Sequence, residues 1–238
     1  MIADDNALNL LGQTLSERDI PIVFYGINNN PRVYFDQERL PKNVYGILER
    51  HLTIPLVRHI NTMVPIQHKR VLVLMDDSTT SRSIKQVSLK GGDQNLVGKT
   101  LLVAKTIKYI DDWKKEVLQA SKYYDAIILQ TWYTIIDEDS QEVILEDTVL
   151  DWTGKNAQLP LFSVVSYAVG NNKAIAAFVL SDYGHGKEAA NTALALLSGE
   201  KPKRFQTSKS GVFYLNKSGL DRFNLTIPPK LINHAIYK

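Results

Sequence analysis

Apolar residues in this chain gather in short continuous runs, separated by segments with helical spacing. Residues 21–27 (PIVFYGI), 70–75 (RVLVLM), 100–107 (TLLVAKTI), 124–130 (YDAIILQ), 159–165 (LPLFSVV) and 173–180 (KAIAAFVL) read as six strands. Runs unbroken by polar positions suit strands covered on both faces, as in parallel sheets. Residues 1–5 read as the tail of a further strand, and 212–215 as a short late one. Between them, 6–15 predicts a helix with Asp5 as its N-cap. Residues 52–63 carry apolar positions at helical spacing. Residues 111–121 open with two acids, which favour a helix N-terminus, and put Trp113, Val117 and Leu118 on one face. Residues 186–197 form the clearest helix, with Gly199 as its stop. A final helix is expected after Pro228 and Pro229, and 201–210 reads as polar and irregular. Strands alternating with helices predict an α/β fold built from βαβ units.

Composition supports a packed protein. The chain has 238 residues, 44% of them hydrophobic and 22% charged, which suits one large or two modest domains and not wholesale disorder. The net charge of +3 is scattered, with Lys201, Lys203 and Arg204 the densest cluster, so no nucleic-acid partner is expected. The absence of cysteine removes disulfides, thiolate nucleophiles and sulfur-ligated metals. No apolar run reaches the roughly 18 residues that would span a bilayer. Residues 1–20 lack the pattern of a secretory signal. The expectation is that the natural start lies upstream or has been trimmed.

Two segments imitate phosphate loops. Residues 92–100 (GDQNLVGKT) end like a Walker A loop, but the spacing is one residue too long and the segment precedes a strand. They are expected to be a polar loop. Residues 184–189 (GHGKEA) follow a strand and open a helix, as a dinucleotide fingerprint does, but the second strand ending in an acid is missing. Gly184 and Gly186 are expected to permit a tight strand-to-helix turn. The five histidines (His51, His59, His68, His185 and His234) show no zinc spacing, and no nucleophile elbow occurs. Asp4–Asp5 and Asp76–Asp77 lie at strand ends and remain open between catalysis, ligand binding and turn formation. Polar and aromatic residues follow strand after strand: Asp4, Asp5 and Asn6; Tyr25, Asn28 and Asn29; Ser78 to Ser81; Thr131, Trp132 and Tyr133; Ser166 and Tyr167. In a parallel sheet such tips share one edge, where they can hold a small polar molecule.

Taken in order, IADDNAL, IPIVFYGIN, NVYGI, VLVLMDDSTTSR, DDWKKEV, YDAIIL, LPLFSV, SDYGHGKEAANTALALLSGEKP and IPPKLI resemble the substrate-binding proteins associated with ABC transporters. The resemblance covers essentially the whole chain. It implies a type I periplasmic binding fold: two Rossmann-like lobes joined by three hinge crossings, closing on a small ligand without covalent chemistry and without a cofactor. Lobe one would be residues 1–65 with 181–205, and lobe two 66–180 with 206–238. Relatives carry about two more βα units before IADDNAL, so lobe one is expected to be incomplete, with its sheet lacking neighbours beside strand 21–27.

By the family's pattern, Asp5 and Asn28 would bind ligand from lobe one, and Asn6 and Tyr25, at the same strand tips, are expected beside them. Ser78, Thr79 and Thr80 would offer hydroxyls and backbone N–H groups to a carboxylate. Thr131, Trp132 and Tyr167 would form walls, and Asp182 would lie near a hinge. The expected ligand is an amino acid or similar small molecule, and the expected partner an ABC permease. The place of action implied is periplasmic or otherwise extracytoplasmic. The same fold also serves as a ligand-sensing ectodomain with a signalling partner, and a Rossmann-type nucleotide-dependent enzyme using residues 184–189 is the remaining alternative.

Overall fold

The computed structural model describes residues 1–207, 211–232 and 235–238, apart from the side chains of 182, 230 and 232. His234 thus lies outside the described residues. In chain order the first elements are β1 (Ile2–Ala3), α1 (Asp5–Ser16), β2 (Ile22–Ile27), β3 (Val44–Leu48), α2 (Thr53–Met63), β4 (Arg70–Asp76) and α3 (Thr79–Ser88). There follow β5 (Gln94–Val97), β6 (Thr100–Ile107), α4 (Ile110–Gln119), β7 (Ala126–Leu129), α5 (Glu146–Asn156), β8 (Leu161–Ser163) and β9 (Ala176–Leu180). The chain ends with α6 (Asp182–Leu197), β10 (Phe205–Thr207), β11 (Gly211–Leu215), α7 (Lys217–Arg222), α8 (Pro229–Ile232) and β12 (Ala235–Tyr237). Two compact units result: Met1–His51 with Leu180–Gly211, and Leu52–Val179 with Val212–Lys238.

The first unit is a parallel sheet in the order β1-β2-β3-β10. Alternate residues of β2 point to opposite faces. Ile22 and Phe24 join Leu8 of α1 and Phe35 in one cluster, while Val23 meets Ile47 and Ala189 of α6 in another. Gly46 lies where β3 passes Phe24, and a Cβ there would come within 2.3 Å of the phenyl ring. Two expectations change here. β2 has neighbours on both sides, because Ile2–Ala3 forms a strand within residues 1–5, pairing Ile2 with Phe24 and Ala3 with Tyr25. The sheet's edge is β1, not strand 21–27. Residues 201–210 are not wholly irregular, since Phe205–Thr207 adds β10 alongside β3.

The second unit holds strands in the order β12-β11-β9-β8-β7-β4-β6-β5. β4 is its centre, with Val71 to Asp76 all buried, paired parallel to β6 on one side and β7 on the other. One face is packed by Leu56, Val57, Ile60 and Met63 of α2 with Val71, Val73 and Met75 of β4. The other is packed by Trp113 and Val117 of α4 with Leu72 and Leu74. Each such side chain contributes about 1.5–3 kcal/mol by leaving water. Helix 52–63 therefore belongs with the second sheet, although the sequence boundary at 65 assigned it to lobe one: its apolar stripe is buried there. Buried Asp125 fixes the approach to β4, accepting the backbone N–H groups of Gln67 and His68 at 2.8 Å each and of Arg70 at 3.1 Å.

Residues 92–100 form a hairpin rather than a loop. β5 and β6 pair antiparallel, with Val97 opposite Thr100 and Gly98 in the left-handed region at φ 65°. Gly184 and Gly186 do not make a turn either. They lie inside α6, whose N-cap is Ser181, with Gly184 N–H donating to Ser181 Oγ at 3.0 Å.

Candidate functional site

In the first unit, the two aspartates after β1 take different jobs. Asp4, at φ 75°, is the N-cap of α1 and accepts from Asn6 N–H at 2.7 Å. The cap was expected at Asp5. With Asp4 capping, Asp5 is the first helical residue and its carboxylate reaches the tip of β2. It accepts the backbone N–H groups of Asn28 (2.8 Å) and Asn29 (3.1 Å) and the hydroxyl of Tyr34 (2.8 Å). Burial, then the hydrogen bond to Asp5, raises the Tyr34 phenol above its ordinary range.

Arg50 holds the same loop from its carbonyl side. Its Nη1 donates to the carbonyls of Ile27 (3.0 Å), Asn28 (2.9 Å) and Glu49 (2.6 Å). Burial lowers the Arg50 guanidinium from its usual value, while the charges of Asp5 and Glu49 pull the other way. Asn28 is buried. Its Nδ2 donates to Glu49 at 3.2 Å, and its Oδ1 has no partner. Tyr25 packs against the cluster of Val23, Ile47 and Ala189, and Asn6 is exposed on α1. Gly26, at φ 69°, donates its N–H to His185 Nε2 at 3.0 Å. Asp182 opens α6, and its side chain lies outside the described residues.

In the second unit, Asp76 is wholly buried at the end of β4. Its Oδ1 accepts from the hydroxyls of Ser78 (2.6 Å) and Ser81 (2.5 Å), and its Oδ2 from the N–H groups of Tyr133 (2.7 Å) and Thr134 (3.1 Å). Ser78 caps α3 by accepting from Ser81 N–H. Ser81 also meets the Thr131 hydroxyl at 2.6 Å, joining the α3 start to the loop after β7. Thr79 and Thr80 are exposed on the first turn of α3. Asp77 pairs with Arg82 on the surface.

Trp132 is fully buried, stacked on Tyr133 with centroids 5.0 Å apart, and Tyr167 is tilted against it at 5.9 Å. Tyr167 donates to the Tyr133 hydroxyl and is 46% exposed, so its ring provides open aromatic surface at this end of the sheet. Burial, then the hydrogen bond from Tyr167, raises the Tyr133 phenol. Gln130 accepts from Thr53 at 2.6 Å, and its Nε2 has no partner. Trp132 Nε1 has none either. Among the described residues no group of three or more His, Cys, Asp or Glu side chains could hold a metal ion.

The structure thus gathers Asp5, Asn28 and their neighbours in one unit, and Ser78, Thr79, Thr80, Thr131, Trp132 and Tyr167 in the other. Sequence reasoning placed Ser81 among the strand-tip residues but missed Tyr34, Arg50 and Gln130 as members of these networks. It left Asp76 open among several roles. A signal was available only for Asp76 and Ser81, which flank the Ser78 cap in one short stretch.

A family model described as ABC transporter substrate binding protein matches residues 2–237. No curated protein matches the chain. Among solved structures, a conserved domain protein from Vibrio cholerae is 19% identical with a TM-score of 0.61, the match covering 99% of this chain and 76% of that one. A Streptococcus pneumoniae ABC domain in complex with L-Trp is 16% identical with a TM-score of 0.60, covering 99% and 78%. A ligand-free, open substrate-binding protein with adhesive properties from Clostridium difficile is 13% identical with a TM-score of 0.65, covering 99% and 76%. The α/β fold is that of type I periplasmic binding proteins.

Proposed function

The chain belongs to the ABC transporter substrate-binding protein family, and from that premise we propose that it captures an amino acid with an apolar or aromatic side chain. Its role is solute binding for ABC-type uptake, and the family acts outside the cytoplasm. We place the capture step in the periplasm or at the outer cell surface, with a membrane permease receiving the ligand.

The observation that carries this reading is the set of polar atoms left over at the strand tips. Buried polar atoms nearly always have a partner. Asn28 Oδ1, Gln130 Nε2 and Trp132 Nε1 are buried without one, and each follows the C-terminal end of a parallel strand, where α/β sheets bind ligands. In the second unit Gln130 Nε2 and Trp132 Nε1 supply two donors, a match for a carboxylate, and in the first unit Asn28 Oδ1 supplies one acceptor. The exposed first turn of α3, with Thr79 and Thr80, adds hydroxyls and a helix N-terminus for the same carboxylate. Tyr167 adds aromatic surface beside Trp132. The L-Trp found in the pneumococcal structure is a ligand of this chemistry. Asp5 and Asp76 act as positioning residues, since their oxygens are already engaged by the loops.

Calorimetry against the twenty amino acids tests the reading. Saturable heat with Trp, Phe, Tyr or Leu, weakened about tenfold by Tyr167→Ala, is the expected result. No heat with any amino acid would remove this ligand class.

A further inference from the structure

The first unit carries a concavity whose chemistry differs from that of the strand-tip groups. It measures about 490 Å³ and is lined by Arg32, Glu38, Arg39, Leu40, Arg204 and Phe205. Its lining thus holds three arginines and one glutamate. No ion pair to any of the three arginines occurs among the described residues.

Two of these arginines are held in place rather than free to disperse. Arg204 spans the loop before β3, donating from Nε to the Val44 carbonyl at 3.1 Å and from Nη2 to the carbonyls of Leu40 (3.3 Å) and Pro41. Its guanidinium also lies 5.7 Å from the Tyr45 ring centroid. Arg32 sits 5.3 Å from the centroid of Phe205. Arg39 follows two successive non-glycine residues in the left-handed region, Gln37 at φ 54° and Glu38 at φ 52°, a conformation that L side chains seldom adopt and that the surroundings must impose. Like charges gathered on fixed supports are most stable with an anion among them, and the guanidinium fork suits carboxylates.

We propose that this pocket receives carboxylate side chains from an extended acidic segment of a partner protein. The choice of a segment over a small free anion rests on exposure. Arg32 and Arg39 are exposed, and a volume of about 490 Å³ leaves room for more than one carboxylate. Phe205 belongs to β10, the end strand of its sheet. Gly46 N–H takes the Arg204 carbonyl at 3.0 Å, so the backbone groups of Phe205, one residue on, face the outer edge. An extended segment can pair there while its acids reach the arginines. The proposal is independent of what the strand tips bind.

The test uses a fluorescein-labelled peptide of alternating Glu and Gly, followed by fluorescence anisotropy at low salt with the full chain. Saturable binding is expected, with none for the Gln-Gly peptide. Arg32→Glu with Arg39→Glu should weaken it at least about tenfold. The exposed pair Lys122→Glu with Lys187→Glu changes the net charge equally and should alter it by less than about twofold. Arg32→Gln with Arg39→Gln serves if the reversed variant does not fold. Equal losses in both charge-matched variants would overturn the proposal, as would failure of the Glu peptide to bind. Displacement of the peptide by millimolar inorganic phosphate that itself binds the pocket would also overturn it, in favour of a small-anion site.

Discussion

The two units solve one problem with the same device in different surroundings. A parallel sheet has no hairpins to tie its strand tips together, so the loops there need other restraints. In each unit an aspartate at the tip of one strand accepts two successive backbone N–H groups from the loop after the neighbouring strand. Asp5, beyond β1, takes those of Asn28 and Asn29 after β2. Asp76, ending β4, takes those of Tyr133 and Thr134 after β7. The difference is burial. Asp76 is wholly enclosed and its remaining lone pairs are filled by Ser78 and Ser81, whereas Asp5 is half-buried and completed by a tyrosine on a longer loop. Both arrangements fix the backbone of the loop beyond the neighbouring strand.

The comparison breaks most readily at Asp76. Asp76→Ala leaves two N–H groups and two hydroxyls around a wholly buried position without their acceptor and should cost about 3–4 kcal/mol of stability. Urea unfolding measures it, and a loss below about 1 kcal/mol would show that the carboxylate is dispensable. Asp5→Ala should cost less, about 1.5 kcal/mol, because water can reach the orphaned groups. Hydrogen exchange sharpens the contrast: amides 28 and 29 should lose protection in the Asp5 variant, and amides 133 and 134 in the Asp76 variant. If either variant loosens both loops alike, the two clamps are not separate devices. Tyr34→Phe, which removes one of three donors to Asp5, should cost only about 0.5–1 kcal/mol. A loss as large as that of Asp5→Ala would mean that the tyrosine, not the aspartate, organises the loop.

Much of this was legible in the sequence, for identifiable reasons. Strands such as β4 and β7 are apolar on both faces, and α6 ends at a glycine, so period and punctuation found them. β3 and β10 were missed because Gly46 interrupts one run and the other is only three residues long. α5 has no clear apolar stripe. At the site, the residue types at the strand tips were readable, but not their division of labour. Either Asp4 or Asp5 could cap α1 by chemistry alone, and only the backbone at Asp4 decides. Tyr34 meets Asp5 from 29 residues away and Arg50 holds Asn28 from 22 away, across contacts that no local pattern encodes.

The smallest effect separates satisfied burial from burial that merely excludes water. Unlike the two aspartates, His59 of α2 has aromatic neighbours, with its ring 4.8 Å from Phe178 and 5.3 Å from Phe213 in edge contacts. Burial lowers its pKa from the ordinary imidazole value. The unfolded chain, with a histidine pKa of about 6.5, therefore takes up this proton first as pH falls. The contribution of His59 to stability is present above about pH 6.5 and declines as pH drops through that value toward the lower folded pKa. His51, lowered to about 4 by burial and then by Arg50, acts in the same direction and stays in place when His59 is replaced. His59→Phe should thus make stability between about pH 6.5 and 5 less steep without abolishing the slope. Urea midpoints across that range measure it, and an unchanged slope would show that the ring is protonated as easily when folded as when unfolded.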